Sequence, residues 1–389
     1  MFRDLAERGV TFLVGSISSL FLSNGSTFSI TSLLSALCIA ITFVLLSRRP
    51  GKKDVKYKIM RRALFPRWLR RASFRADVGF LLFNLFAFAM LFGWAVITSQ
   101  FVSATVAGAL ADMFGVRHKT GLNDFLSRSI VTVSLFLAYE LGYWIDHYLS
   151  HRIPLLWEFH KVHHTAEVLS PLTNFRVHPV DSVVFYNILG IIVGTTGGAL
   201  SYLQLGSPFA VGGANVILVA FVFVTVHLQH SHVWIATTGP LGRVILSPAH
   251  HQIHHSDNPI HFDKNFGGCL SLWDWLFGTL HVPERKRERL SFGVETRART
   301  HHTTMGCLVM PFVRAWERLR PTVPEKRSPQ AGSHAHSSRR HGVHFHNTTR
   351  RIPCFRTGTL KFTTKPASLS IADSSRSELH EADGSARPT

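Results

Sequence analysis

Histidines are concentrated in two parts of this sequence, in a spacing that suits metal binding. Between residues 147 and 164 they follow the pattern H-x3-H and, after eight further residues, H-x2-HH: His147, His151, His160, His163 and His164. A second H-x2-HH comes much later, at His251, His254 and His255. Helical residues three or four positions apart share one face. The spacing therefore predicts that each cluster directs two or three imidazoles at one place.

The chemistry expected of such clusters is metal coordination. Neutral imidazole is the commonest metal ligand, and it binds iron, zinc, copper and nickel. A lone histidine is usually an ordinary surface or core residue, but that explanation does not suit three spaced clusters together. Eight imidazole nitrogens are too many for one ion and suit two. The sequence therefore predicts a centre for two metal ions, whose identity the spacing leaves open.

The composition is that of a membrane protein. Hydrophobic residues make up 46% of the 389 residues and charged residues only 17%, against about 25% in soluble domains. The four cysteines stand far apart and form no C-x2-C pair, which argues against a disulfide framework and against a cysteine zinc site. The net charge of +19 does not indicate a nucleic-acid partner, because it is concentrated in two places and no nucleic-acid-binding motif accompanies it.

Five apolar segments are long enough to be predicted as membrane spans: Ser29–Ser47, Val78–Thr98, Ser129–Tyr148, Val183–Leu203 and Phe209–His227. Residues 10–22 are shorter, and they either lie at the interface or form a tilted span. The basic block Arg48–Arg75 is predicted to be cytoplasmic by the positive-inside rule. Crossings counted from that block place both H-x2-HH clusters on the cytoplasmic side of the membrane.

These features predict an all-α integral membrane protein with about four to five transmembrane helices and a cytosolic, histidine-rich helical cap. Three parts are expected: a membrane segment with a basic loop at 1–76, a membrane-bound core at 77–320 and a basic tail at 321–389. The tail has few large apolar residues and is predicted to be disordered. Its scattered histidines, His341 among them, are predicted to bind nothing specific.

Two acids accompany the first histidine cluster. Glu140 lies two helical turns before His147 on the same face, and Asp146 is its neighbour in sequence. An acid inside a membrane span is costly and marks a functional site. We predict that both acids support the ligands, Glu140 by accepting an imidazole N–H. Further along, Arg176 and His178 are candidates for orienting a substrate headgroup or a ligand.

The clusters belong to a longer pattern. It reads E-x6-H-x3-H-x8-H-x2-HH, followed later by H-x2-HH and by D-x-N-F-G-G-x-L-x-L-W-D-x-L-F-G-T. This pattern resembles the fatty acid hydroxylase superfamily, in particular its branch of sterol desaturases and alkylglycerol monooxygenase. The resemblance covers roughly residues 75–285. The combined pattern is highly specific, whereas a single H-x2-HH would indicate little.

The resemblance implies a membrane-bound di-iron oxygenase without haem, in which the eight clustered histidines bind two iron ions and His230 is a further ligand. It implies that O2 is used to hydroxylate or desaturate a C–H bond of a sterol-like or long-chain lipid. The expected partners are that lipid, the bilayer and a separate electron donor, either a reductase or a redox carrier. Two other classes stay open: a histidine-rich membrane metal transporter, with ligands near the bilayer midplane, and a non-catalytic metal-binding membrane protein.

Overall fold

The structure is a computed structural model that describes residues 2–46, 72–117, 120–294 and 303–320. Most of the predicted basic block and the whole predicted tail lie outside the described residues. Within the described ranges the protein is mostly helical, as predicted. The strands found there form one short antiparallel hairpin of β1 (Ala210–Val211) and β2 (Ala214–Asn215).

The described helices are longest in the first half of the chain and short around the histidine clusters. In chain order they are α1 (Phe2–Leu22), α2 (Ile30–Leu46), α3 (Ala72–Phe83), α4 (Ala89–Phe92), α5 (Ser99–Phe114), α6 (Asp124–Arg152), α7 (Pro154–His164), α8 (Pro179–Tyr202), α9 (Val216–Phe221), α10 (His227–Gln229), α11 (Gly239–Gly242), α12 (Pro248–His254), α13 (Leu272–Phe277) and α14 (Thr304–Leu319). Between them lie π-helical turns at Asn84–Phe88 and Val222–Val226 and 3-10 turns at Gly93–Ala95, Pro171–Phe175 and Pro259–His261.

Three apolar segments in the described part of the chain are long enough to cross a membrane: Ala72–Phe114, Asp124–Arg152 and Pro179–Tyr202. The first is the bent run from α3 to α5, and the other two are α6 and α8. Ile30–Leu46 and Val216–Gln229 are apolar but shorter, so two of the predicted spans correspond to helices below the usual spanning length. Pro179 begins α8 earlier than predicted, because proline suits the first helical position.

Glycines on one face of α8 allow α5 to pack closely against it. A Cβ added to Gly198 would lie 2.7 Å from the Ser103 carbonyl oxygen, and one added to Gly194 would lie 2.6 Å from Val102 Cβ. Such distances are too short for real side chains, so the two backbones approach more closely than any larger residue permits. Small residues at this spacing are a common way to pack helices in membranes.

Gly198→Ala is therefore expected to destabilise the protein by about 1–3 kcal/mol, the usual cost of overpacking a well-packed contact. The matched control is Gly197→Ala, whose added Cβ would meet Ser103 Oγ at 3.4 Å, an ordinary contact. Thermal unfolding of both variants in detergent measures the difference. Equal unfolding temperatures would contradict the close approach of α5 and α8.

The helices bring the histidines to one end of the bundle. The helices α6 and α8 are antiparallel, because Gly142 lies beside Leu189 whereas Leu135 lies beside Gly197. The last turns of α6 therefore meet the first turns of α8, and we call this the histidine end. Ser32 Oγ lies 3.1 Å from His227 Nε2, so α2 has its first turn at this end. The predicted topology placed the end of the span Ser29–Ser47, not its start, on the same side as the histidine clusters, so the direction of this segment was predicted wrongly.

Candidate metal centre

All nine histidines predicted as ligands lie close together at the histidine end, in two groups. Group A consists of His147, His151, His160, His164 and His254. Group B consists of His163, His230, His251 and His255. Within each group the ligand nitrogens lie within 4.8 Å of one another, and eight of the nine residues are buried.

The two H-x2-HH motifs are divided between the groups. In α7, His160 and His164 belong to group A and the histidine between them, His163, belongs to group B. The second motif is divided in the opposite sense, with its outer histidines in group B and His254 in group A. Each motif thus directs two of its three imidazoles at one group, within the two or three that the spacing predicts, and the third imidazole at the other group. The residues at i and i+4 do stay together, as helix geometry requires, while the residue at i+3 faces the other group.

Group B has the geometry of a cation site. The Nε2 atoms of His230, His251 and His255 form a triangle with edges of 3.0, 3.1 and 3.1 Å, and His163 Nε2 lies 3.2 Å from that of His230. Hydrogen bonds alone cannot join all three nitrogens. At least two of them are either both protonated or both unprotonated, and such a pair has no donor–acceptor match. Nitrogens bound tetrahedrally at about 2.0–2.1 Å from one metal ion are separated by about 3.3 Å, so the triangle suits one ion.

In group A, lone pairs point inward because the outer nitrogens are hydrogen-bonded. His147 Nδ1 donates to the carbonyl oxygen of Phe266 and His254 Nδ1 to that of Lys264, both at 2.8 Å. A carbonyl only accepts, so Nδ1 carries the proton and Nε2 keeps its lone pair. The Nε2 atoms of both residues are buried and have no hydrogen-bond partner among the described residues. This is the arrangement that a bound metal ion requires.

Burial also keeps these imidazoles neutral. It lowers the pKa of His230 and of His254 to about 3, with smaller contributions from neighbouring histidines. Burial likewise lowers the pKa of His251 and of His255 well below the usual value. At neutral pH these four imidazoles are therefore uncharged nitrogen donors, which fits the binding of metal cations.

Asp274 holds the loop that supplies the two carbonyls, residues 263–270. Its Oδ1 accepts from Phe266 N and its Oδ2 from Gly267 N, both at 2.8 Å. Oδ1 also accepts from the Trp144 indole of α6 at 3.2 Å. The loop thus has a fixed position relative to α6, so its carbonyls remain aligned with the histidine rings. Asp274 was not among the predicted site residues, although it is part of the long sequence pattern quoted above.

Glu140 acts on the same loop, and this corrects its predicted role. Its Oε2 accepts from the backbone N–H groups of Cys269 and Leu270 at 2.8 and 2.7 Å, and no hydrogen bond to a histidine is found among the described residues. Two neighbouring amides satisfy a buried carboxylate better than one distant imidazole does. The influence of Glu140 on His147 is therefore indirect, through the loop that carries Phe266.

Two carboxylates do approach predicted ligands: Asp181, and Asp263, whose Oδ1 lies 3.8 Å from His151 Nδ1. His160 Nδ1 lies 3.1 Å from Asp181 Oδ2, in the first turn of α8. Asp146 is buried, and its Oδ1 has no hydrogen-bond partner among the described residues, so its predicted support of a ligand is not seen as a direct contact. The signal that could have identified Asp181 is an acid at the start of a membrane span.

Arg176 and His178 have structural contacts. Arg176 is fully buried, and its Nε pairs with Asp77 Oδ1 of α3 at 2.7 Å. Its carbonyl accepts from His163 Nδ1 at 3.3 Å, so this ion pair fixes a residue that orients a group B histidine. His178 Nδ1 accepts from Val180 N at the start of α8, and its Nε2 donates to the Leu308 carbonyl at 3.1 Å.

A cavity of about 510 Å³ lies beside both groups and extends between the apolar helices. Its polar end is formed by group A and group B histidines and by the carboxyl groups of Asp146 and Asp181. The rest of the wall is mostly apolar or aromatic and includes Leu20, Phe28, Leu85, Phe88, Tyr139, Tyr143, Phe185, Tyr186, Leu218, Val222 and Val226. The cavity therefore leads from a polar, nitrogen-rich end into an apolar space.

Two histidine groups at the end of apolar helices have the donor set of a metal centre in a membrane protein, and comparison with known families shows what the chain is similar to. Residues 132–279 match the fatty acid hydroxylase family, and this stretch contains both histidine groups, Glu140 and Asp274. The matched region belongs to the fatty acid hydroxylase superfamily. With its three apolar helices of spanning length, the chain is an integral membrane protein.

Similar curated proteins are lipid-modifying enzymes by name. Alkylglycerol monooxygenase of Danio rerio is 32% identical over 152 residues, which cover 38% of this chain and 30% of that protein. The Homo sapiens protein of the same name is 29% identical, covering 41% and 32% respectively. Ornithine lipid hydroxylase OlsE of Rhizobium tropici is 30% identical, covering 40% and 43%. The match thus spans less than half the length of these relatives, and no solved structure matches the chain.

Proposed function

We propose that the protein is a di-iron lipid oxygenase that uses O2 to hydroxylate or desaturate a C–H bond of a long-chain or sterol-like lipid. The observation that carries this proposal is the pair of histidine groups, buried but for His151, beside a mostly apolar cavity. Iron ions held by groups A and B would supply the O2 activation, with electrons from an external reductase or redox carrier. The similar proteins named above are monooxygenases and hydroxylases, which supports this class of reaction.

The residues of the chain would bind the lipid and exclude water. Phe88, Phe185 and Val222 line the apolar part of the cavity. A lipid acyl chain or ring system bound there would shield these side chains from water. A lipid bound there presents one of its C–H bonds to the histidine end. Asp146 and Asp181 line the same wall, and Oδ2 of Asp181 would hold the Nδ1 proton of His160 in place.

A metal transporter is the alternative, and the site does not favour it. A transporter holds its ion on a path near the middle of the bilayer. Here the ligands come from the last turns of α6, from the short helices α7 and α12 and from adjoining loops. Donors enclosed on every side, with an apolar cavity leading away, suit a resident cofactor and a lipid substrate.

Two iron ions per chain are expected in protein purified from iron-supplied cells, one for each group. Elemental analysis measures this content, and isotopically labelled O2 then tests the activity on extracted lipids. Incorporation of the label indicates hydroxylation, and a new double bond without label indicates desaturation. His341→Ala, in the tail, should change neither result. One ion or none in folded protein would contradict the two-metal proposal, and a filled centre without a lipid product would contradict the reaction.

We also propose that the histidine end faces the cytoplasm. Arg75 lies in α3, at the end where Arg176 pairs with Asp77, and a second basic stretch is exposed there: Arg285, Lys286, Arg287 and Arg289. Positive charge of this kind is retained on the cytoplasmic side. Cysteines placed at positions 75 and 285, both exposed in the structure, should react with a membrane-impermeant label from the cytoplasmic side. Labelling from opposite sides would contradict the proposed topology.

A further inference from the structure

The helix α14 (Thr304–Leu319) has an apolar face that the described residues leave mostly exposed. On this face the ring of Phe312 contacts Phe159 and His178. The exposed large apolar side chains of α14 retain between 42% and 73% of their accessible surface: Met305, Val309, Phe312, Val313, Trp316 and Leu319. At 3.6 residues per turn these six positions fall within about one third of the helix circumference. The other faces differ, because Cys307, Pro311 and Ala315 are buried, whereas Glu317 and Arg318 are exposed and charged.

The buried face attaches α14 to the ends of two membrane spans. Cys307 packs with Phe80 of α3 and Val162 of α7 in one buried apolar cluster. The carbonyl of Leu308 accepts from Nε2 of His178, the residue that caps the first turn of α8. Because α3 and α8 are parts of two candidate spans, α14 is held beside both of them at the histidine end.

We propose that α14 is an interfacial helix, whose apolar stripe lies among the acyl chains of the bilayer at the histidine end. Trp316 suits this depth, since tryptophan is enriched where acyl chains meet headgroups. The guanidinium of Arg320 lies 5.7 Å from the centre of its ring, so a cation accompanies the ring at the level of anionic headgroups. An amphipathic helix with a narrow apolar face and basic neighbours is the usual form of a helix lying in the interface.

The attachment has a consequence for the metal centre. Glu158 of α7 pairs with Arg318 of α14 and with Lys161, its neighbour on α7. A helix anchored in the interface therefore holds α7, which contributes to both histidine groups, next to the bilayer surface. A lipid can then reach the cavity without leaving the membrane.

Spin labels in the full-length protein test this proposal. Cys38 and Cys354 are replaced by serine, and single cysteines are introduced by Val309→Cys, Trp316→Cys and, as the matched control on the charged face, Glu317→Cys. Each nitroxide-labelled protein is reconstituted into phosphatidylcholine–phosphatidylglycerol vesicles. Collision rates are measured with O2, which concentrates among acyl chains, and with a water-soluble nickel chelate. The unsubstituted background protein, labelled in the same way, corrects for the two buried cysteines.

The ratio of O2 to nickel collisions is expected to be several-fold higher at positions 309 and 316 than at 317. Equal ratios at all three positions would place the stripe in water and overturn the proposal. Low collision rates with both reagents at 309 and 316 would show that protein covers the stripe, either a second copy or another segment of this chain, and would overturn it as well. Unchanged gel-filtration behaviour of each variant confirms that the fold is retained.

Discussion

Replacing His254 with alanine is expected to reduce activity by more than about 100-fold, beyond the usual effect of losing a residue that only supports a ligand. His254 is the one histidine of its motif that belongs to group A. Its Nδ1 is hydrogen-bonded to the Lys264 carbonyl, and its Nε2 has no partner among the described residues. The other two histidines of the motif, His251 and His255, belong to group B and do not take its place.

The measurements are iron content and turnover of the purified variant. Iron is expected to fall from two ions to about one or fewer per chain, while the spans remain inserted. His232→Ala is the matched control, since His232 is exposed and belongs to neither group, and it should retain full iron and activity. An active His254→Ala variant with two irons would remove His254 from the ligand set.

Glu140→Leu is expected to lower iron affinity and turnover by about 100-fold, and Glu140→Gln by about 10-fold. Leucine leaves the buried N–H groups of Cys269 and Leu270 without an acceptor, at a cost of about 1–3 kcal/mol each. Glutamine keeps one oxygen that accepts from both amides and loses only the charge. The expected order of the two variants follows from this difference.

Iron titration and thermal unfolding of both variants test the role of Glu140 as a support for the loop. The control is Asp124→Asn at the exposed start of the same helix, which should behave like the parent. Equally large losses of turnover in both variants, with iron content and unfolding temperature unchanged, would point to a proton-transfer role instead. Full iron content and activity in Glu140→Leu would mean that the carboxylate contributes to helix packing alone.

The histidine set was predictable from the sequence, because spacing along a helix determines which residues share a face. His147 and His151 occur together as that rule requires, and so do His160 and His164. The division of each motif between two groups was not predictable, since it depends on how α7 and α12 approach each other across more than 80 residues of chain. Local periodicity contains no information on that packing.

The supporting contacts were harder to predict for the same reason. Glu140 could be recognised as unusual by its position in a span, but its partners are backbone amides of a loop 129 residues later. The hydrogen-bond acceptors for His147 and His254 are backbone carbonyls. Every residue type has a backbone carbonyl, so the sequence does not show which residues act as these acceptors. Asp181 was missed because an acid in the first turn of a helix is also a common stabiliser of the helix dipole. The role of such residues becomes visible only when the fold brings them together.

The division of each motif between groups A and B has a consequence for how this centre can evolve. Because α7 and α12 each contribute to both groups, a change in the position of either helix moves ligands of both sites. A lineage that lost one site by displacing α12 would also disturb the ligands of the other. The pair is thus inherited as a unit, and a stable descendant with a single metal would have to rebuild both short helices at once.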